Sequence, residues 1–166
     1  MNPPIVLITG GSRGIGAATA WLAAQRGFAV AINYARQADA ARQLVQRIEA
    51  AGGRAMAVQA DVGEEAQVLR MFAEVDAKLG RLSVLVNNAG IVDMKARLDE
   101  MSVERLERMM RINVVGAFVC AREAVRRMST RHGGSGGVIG NLSSAAARIG
   151  SPDPDIDNAA SKGGHE

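Results

Sequence analysis

Two groups of residues in this chain could do chemistry, and they lie near its two ends. The first is Thr9-Gly10-Gly11-Ser12-Arg13-Gly14-Ile15-Gly16, which follows the apolar run Ile5-Val6-Leu7-Ile8 and leads into the helix-favouring stretch up to Arg26. A buried strand, a glycine turn and a helix make the setting in which a dinucleotide phosphate is held. Gly10 lets the chain turn tightly, Gly14 removes a side chain that would block a pyrophosphate, and Gly16 lets the helix pack close to the strand. The free N–H groups and positive dipole end of the helix then face the phosphates. The glycine spacing is G-x-x-x-G-x-G, which differs from the common G-x-G-x-x-G. The second group is Ser143-Ser144 followed by Asn158 and Lys162. A spacing of four puts Asn158 and Lys162 on one helix face. An amide such as Asn158 can hydrogen-bond a carbonyl but cannot exchange a proton near neutral pH.

The elements that must position these residues alternate between strand and helix, which predicts a parallel sheet covered on both faces. Strands are expected at Ile5 to Thr9, Ala29 to Tyr34, Ala55 to Gln59, Val84 to Asn87 and Val138 to Leu142. Helices are expected at Ile15 to Arg26, Ala38 to Ala51, Glu64 to Leu79 and, with a break, Val103 to Arg131. Gly27, Gly52 and Gly80 each follow a helical run, where a left-handed cap favours glycine. Ser102 is placed to cap the helix that begins at Val103. Asn113 falls mid-helix against its propensity, which favours a specific role. Met109, Met110 and Met128 read as core, and Gly133 to Gly137 as a flexible connector. The stretch from Ser143 reads as loop through Pro152 and Pro154, turning helical around Asn158.

Composition narrows the field further. With 166 residues, 48% of them hydrophobic, the chain is expected to form a single domain, residues 1–166. Aromatic residues are only 3%, so the core must be aliphatic and filled by Met. Twenty Lys and Arg against 17 Asp and Glu give a net charge of +3. The cluster Arg122, Arg126, Arg127 and Arg131 reads as a solvated face near a negative helix end, and no stacking aromatics accompany it to suggest nucleic acid. Cys120 is the one cysteine. It can form no internal disulfide or metal cluster, and points to a reducing, cytoplasmic setting without membrane or metal.

Taken together, the motifs resemble the short-chain dehydrogenase/reductase family in order and spacing. Thr9 to Gly16 looks like its cofactor turn, with Gly10, Ser12, Arg13, Gly14, Ile15 and Gly16 as contacts. Asp61-Val62 looks like its adenine-contacting pair, and Asn87-Asn88-Ala89-Gly90 like its signature after the fourth strand. Asn113 falls on its helix-breaking asparagine and Ser144 on its catalytic serine. Within the family, the chain resembles bacterial sugar-dehydrogenase-like and acyl-carrier ketoreductase-like members. The resemblance implies a doubly wound α/β sheet of five parallel strands, order 3-2-1-4-5, and hydride transfer between a nicotinamide nucleotide and a carbonyl or alcohol. It also implies a Tyr-x-x-x-Lys pair, in which the lysine binds the nicotinamide ribose and lowers the tyrosine pKa while the serine holds the substrate oxygen. Lys162 is present, but Asn158 stands at the tyrosine position. Tyr34 is the one tyrosine and belongs at the adenosine end. His165 lies about 10 Å along a helix from Asn158, too far to substitute.

Charge argues for the cofactor. The second strand ends Asn33-Tyr34-Ala35-Arg36 with no acid for a ribose hydroxyl, and Arg13 and Arg36 can meet a 2′-phosphate, so NADP(H) is favoured over NAD(H). The family's two further strands, their helices and a substrate loop are expected to be lacking here, leaving the fifth strand as an open edge weakened by Gly140. A truncated, impaired oxidoreductase acting on a small molecule is therefore expected. Two other readings stay open: an inactive NADP(H)-binding remnant, and a module that docks on homologous subunits through the Val103 to Arg131 helix.

Overall fold

A computed structural model describes residues 3–149 and 156–164. Its centre is β1 (Ile5–Ile8) and β2 (Ala29–Tyr34), whose near-continuous apolar runs suit strands buried on both faces of a parallel sheet. β3 (Arg54–Gln59) pairs outside β2, β4 (Val84–Asn87) pairs on the other side of β1, and β5 (Val138–Asn141) lies beyond β4. The sheet thus has five strands in the order β3-β2-β1-β4-β5, all pairs parallel. Leu7 lies in register between Ala31 and Leu85.

Helices cover both faces. α1 (Gly14–Gln25) and α2 (Ala38–Ala50) enclose Val6, Ile8, Ile32, Leu44 and Ile48. α3 (Glu65–Lys78) and α5 (Gly116–Met128) enclose Leu7, Met71, Phe72, Leu85 and Met128 on the opposite side. Arg47 of α2 lays its guanidinium 3.9 Å above the Trp21 ring of α1 and ties the outer layer together. Gly27, Gly52 and Gly80 end their helices with positive φ, as expected. The Ser102 hydroxyl accepts from the Arg105 amide and caps α4 (Val103–Met110).

The long helix differs from the expected one in three ways. Its break is a π-helical turn, Arg111–Val115, between α4 and α5, so the axis continues while Asn113 is pushed inward. It ends at Met128, because Ser129 is extended and caps a short 3-10 turn, Thr130–His132. Met109 and Met128 are core, whereas Met110 is 40% exposed. The arginines are not simply a solvated face either. Arg122, Arg126 and Arg127 converge on the buried Glu123 at 3.3, 2.8 and 3.0 Å, and Arg127 also reaches Asp76 at 2.7 Å. Arg127 stacks 4.9 Å from the Phe72 centroid, joining α5 to α3. The Gly133-Gly134-Ser135-Gly136-Gly137 stretch is a packed turn rather than a flexible connector, because a Cβ at Gly134 or Gly137 would overlap Met128. Beyond β5 a short helix not expected from sequence, α6 (Ala146–Ile149), precedes α7 (Ile156–Gly163). Pro152, Pro154 and His165 lie outside the described residues.

Candidate functional site

The glycine turn is fastened from three sides. The Gly10 amide donates to Asn33 Oδ1 (3.1 Å) and the Gly11 amide to the Asn33 carbonyl (2.8 Å), tying the turn to the end of β2. Asn88 Nδ2 donates to the Thr9 and Gly10 carbonyls at 2.8 and 3.0 Å. Thr9 Oγ1 accepts from the Asn88 and Ala89 amides, both at 3.0 Å. Gly16 is required by close approach, since a Cβ there would lie 2.5 Å from Asn88 Nδ2 and 2.6 Å from the Gly10 carbonyl. Gly14 is different: its φ of +54° strains any other residue, yet a Cβ would meet nothing within 4 Å. The backbone is thus open where α1 begins, and α1 has no acid in its first turn.

Asn33 is buried, and its amide also donates to the Ala60 carbonyl (3.0 Å). Its part in the site is to hold Gly10. Tyr34 is half-buried, while Arg13 and Arg36 are exposed and have no ion-pair partner among the described residues. Asp61 closes its own loop by accepting from the Gly63 amide (2.9 Å). Val62 is buried against Gly116, where a Cβ would lie 2.7 Å from the Val62 carbonyl.

On the other side of the sheet's carboxyl edge, Asn113 is fully buried and joins two elements. Its Oδ1 accepts from the Ile91 amide (2.8 Å), and its Nδ2 donates to the Ile91 carbonyl (3.0 Å) and to Ser161 Oγ (2.9 Å). Ser161 passes the contact on by donating to the Asn158 carbonyl (2.8 Å). Lys162 Nζ donates to the Leu142 carbonyl (3.1 Å), and burial pushes its pKa down. A Cβ at Gly90 would lie 3.3 Å from Lys162 Nζ and 3.4 Å from Asn113 Oδ1, so these groups meet around a bare backbone position. Ser143 Oγ donates to the Lys162 carbonyl (3.4 Å), bringing the loop after β5 against α7. Ser144 Oγ accepts from the Ala146 amide (3.3 Å) at the start of α6. Asn158 Oδ1 is buried with no hydrogen-bond partner among the described residues.

Sequence reasoning missed two residues here. Arg105 Nε donates to Asp157 Oδ2 (2.8 Å), and Arg105 Nη1 donates to the Met94 carbonyl (2.7 Å). Burial pushes the Asp157 carboxyl up, but the hydrogen bonds from Arg105 and the Asn158 amide, with the Arg105 charge, outweigh it and hold the pKa below its usual value. The signal was faint, an arginine and an aspartate 52 residues apart. Cys120 is buried and its thiol is pushed up to about 12, first by burial and then by the Glu123 charge, so it is inert. Among the described residues no cluster of His, Cys, Asp and Glu could hold a metal, and no helix is long and apolar enough to cross a membrane.

A strand-turn-helix open to phosphate, with asparagine, serine and lysine gathered at the same edge of the sheet, is matched along residues 4–166 by the family model described as short chain dehydrogenase. The chain belongs to the short-chain dehydrogenase family. It is 50% identical over 159 residues to YgfF, an uncharacterised oxidoreductase of Escherichia coli (strain K12), covering 96% of this chain and 64% of that protein. A probable tetrahydroxynaphthalene reductase of Zymoseptoria tritici is 38% identical over 149 residues, covering 90% of this chain and 55% of that protein. A short chain dehydrogenase of Burkholderia cenocepacia, solved in complex with NADP, superposes with a TM-score of 0.91 at 36% identity and covers 99% of this chain and 64% of its own. This family member therefore spans less than two thirds of the length of these relatives.

Proposed function

We propose that this chain binds NADP(H) across the carboxyl edge of its sheet and carries hydride-transfer machinery in which the proton donor has been replaced by Asn158. The observation that carries the reading is the pairing of an open, glycine-floored helix start at Gly14 with two exposed cations, Arg13 and Arg36, that have no ion-pair partner among the described residues. The Asn33 contacts join the Arg13 turn to the strand that leads to Arg36. Two arginines without a carboxylate suit a 2′-phosphate, and no acid stands there to accept from a ribose hydroxyl. The bare Gly90 backbone beside Lys162 and Asn113 suits the other end of the dinucleotide.

When bound, the nucleotide supplies the hydride donor or acceptor. Ser12, Gly14, Ile15 and Gly16 hold its phosphates at the helix start. Tyr34, Asp61 and Val62 flank the adenosine, and Asn88, Ala89 and Gly90 line the floor towards Lys162, which holds the nicotinamide ribose. Ser144 holds the substrate oxygen, a carbonyl or hydroxyl of a small molecule. Asn113 keeps α7 against the loop after β4. Asn158 can donate an N–H to the substrate oxygen, which polarises it, but transfers no proton.

That substitution favours a second reading, in which the chain binds NADP(H) without turnover. The exposed stripe of Val115, at the end of the π-helical turn, with Phe118 and Val125 of α5 gives either form a surface for a second copy or a homologous subunit. Titration of the purified chain by nucleotide fluorescence tests the cofactor reading. NADPH should bind more tightly than NADH, and Arg13→Ala or Arg36→Ala should each weaken NADPH by about tenfold, the worth of one charge-assisted hydrogen bond, while leaving NADH unchanged. Equal or tighter NADH binding by the parent chain would defeat it. NADPH oxidation with a panel of carbonyl compounds separates the slow oxidoreductase from the silent binder.

A further inference from the structure

We infer that Arg105 is a positioning residue, tying α7 to the loop after β4 and so fixing where residues 158 and 162 stand in the site. One guanidinium serves both elements. It meets the Asp157 carboxylate at 2.8 Å and the Met94 carbonyl at 2.7 Å, with side chains only 14% exposed at Arg105 and 2% at Asp157. Asp157 turns its other oxygen to the Asn158 amide at 2.9 Å, so the tie ends at the residue next to the one in the tyrosine position.

This contact repeats the one made by Asn113 two helical turns along. Asn113 joins Ile91 to Ser161, and Arg105 joins Met94 to Asp157. Residues 157 and 161 are four apart in α7, one turn, and both ties run from the same loop to the same helix. The two therefore act as parallel rungs. Lys162 and Ser143 hold the far end of α7 against the loop after β5, and the Arg105 rung fixes its near end, one turn before Ser161, against the loop after β4.

Stability alone does not account for such a pair. Removing both charges from water offsets most of their attraction, so a buried ion pair is weak as a stabiliser and an apolar pair of similar volume does as well. A planar fork with donors at a set angle holds two acceptors in a defined geometry, which a lysine point charge cannot do. Arg105 acts through Asp157 and Met94.

The ligand arm of the test rests on the cofactor reading above, and a second arm needs no ligand. Arg105→Met keeps volume and removes both ties, Arg105→Lys keeps the charge without the fork, and Asp157→Asn removes the ion pair from the other side. In the unliganded chain, Arg105→Met should raise amide hydrogen exchange in residues 91–97 and 156–163 together and leave β1 and β2 unchanged, with Arg105→Lys intermediate. In the ligand arm, Arg105→Met should weaken NADPH on the order of tenfold, the effect expected of a group that supports a site from behind. Binding of 2′,5′-ADP, which reaches only the adenosine end, should not change. Asp157→Asn should weaken NADPH in the same direction, and the double variant should do no worse than Arg105→Met alone. Unchanged exchange in either segment, or equal weakening of both nucleotides, overturns the assignment. If the parent chain binds neither nucleotide, the cofactor reading fails and the exchange arm alone decides the role of Arg105.

Discussion

Asn33 is where the glycine turn is most exposed to a single substitution. Its side chain accepts from the Gly10 amide at 3.1 Å and donates to the Ala60 carbonyl at 3.0 Å, while a longer contact of 3.4 Å reaches the Val58 carbonyl. Asn33→Ala removes both good hydrogen bonds. Gly10 is half-buried, so water can replace its partner in part, but Ala60 is 1% exposed and keeps an unpaired carbonyl. About 1 kcal/mol for the first and 1–3 for the second gives a loss of roughly 2–4 kcal/mol. In a domain of this size that lowers Tm by roughly 5–15 °C. Asn33→Asp separates the two contacts. A carboxylate still accepts from Gly10, but it sets a negative oxygen against the Ala60 carbonyl, and the folded state therefore raises its pKa above the ordinary carboxyl value near ~3.9. A group whose folded pKa is raised loses stability as pH climbs through that pKa. The deficit of Asn33→Asp relative to the parent should thus be largest near neutral pH and shrink as pH falls towards about 4, where the acid can donate to Ala60. Urea or thermal melts of parent and both variants, compared at each pH, measure this. An alanine variant melting within about 2 °C of the parent, well under the shift expected from its hydrogen bonds, would refute the reasoning. So would an aspartate deficit independent of pH.

Gly16→Ala should destabilise the chain, because overpacking against Asn88 and Gly10 costs about 1–3 kcal/mol while the helix-propensity gain is at most ~1 kcal/mol; circular dichroism melts check the sign. Lys162→Met should stabilise the chain at neutral pH, since burial lowers the lysine pKa and the charged form is disfavoured in the folded state. That gain should fade as pH rises from the lowered pKa towards the ordinary 10.5, where the parent sheds its proton on folding; denaturant melts at rising pH follow it. In a chimera extended with the remaining length of the Escherichia coli relative, Asn158→Tyr should raise carbonyl reduction by ~10²–10⁴, the contribution of a positioned acid. Steady-state NADPH oxidation reads the difference, and an equally fast Asn158 chimera would show that another group supplies the proton.

The strands, the helix positions and the glycine turn were legible because they rest on local signals, apolar runs, glycine at helix ends and a cap at Ser102, whereas the strand order came with the family resemblance. The meeting of Asn113 with Ser161 and Lys162 was legible only in part. A misplaced asparagine flagged its position, but nothing local foretold the π-helical turn that turns it inward. Arg105 and Asp157 left no such mark, since an arginine in the first turns of an amphipathic helix looks like any solvated charge until the partner helix is in place. The same holds for Glu123, whose burial depends on three arginines arriving from its own helix and on α3 closing over them. Met110 misled because its type alone read as core: one residue on from the buried Met109, it lies about 100° round α4 and is 40% exposed.

Trp21 is the one tryptophan of the chain, and Arg47 lies 3.9 Å above its ring. Its ultraviolet emission is therefore an optical label on a single layer, the α1–α2 side of the sheet. The opposite layer, with α7 and the loop after β4, is dark to that wavelength. A chain that loosens around residues 91–97 and 156–163 would keep its native tryptophan spectrum, so agreement between emission and far-ultraviolet dichroism during a melt would report that the two layers come apart together. A dichroism change that precedes the emission change would show the α7 layer letting go first.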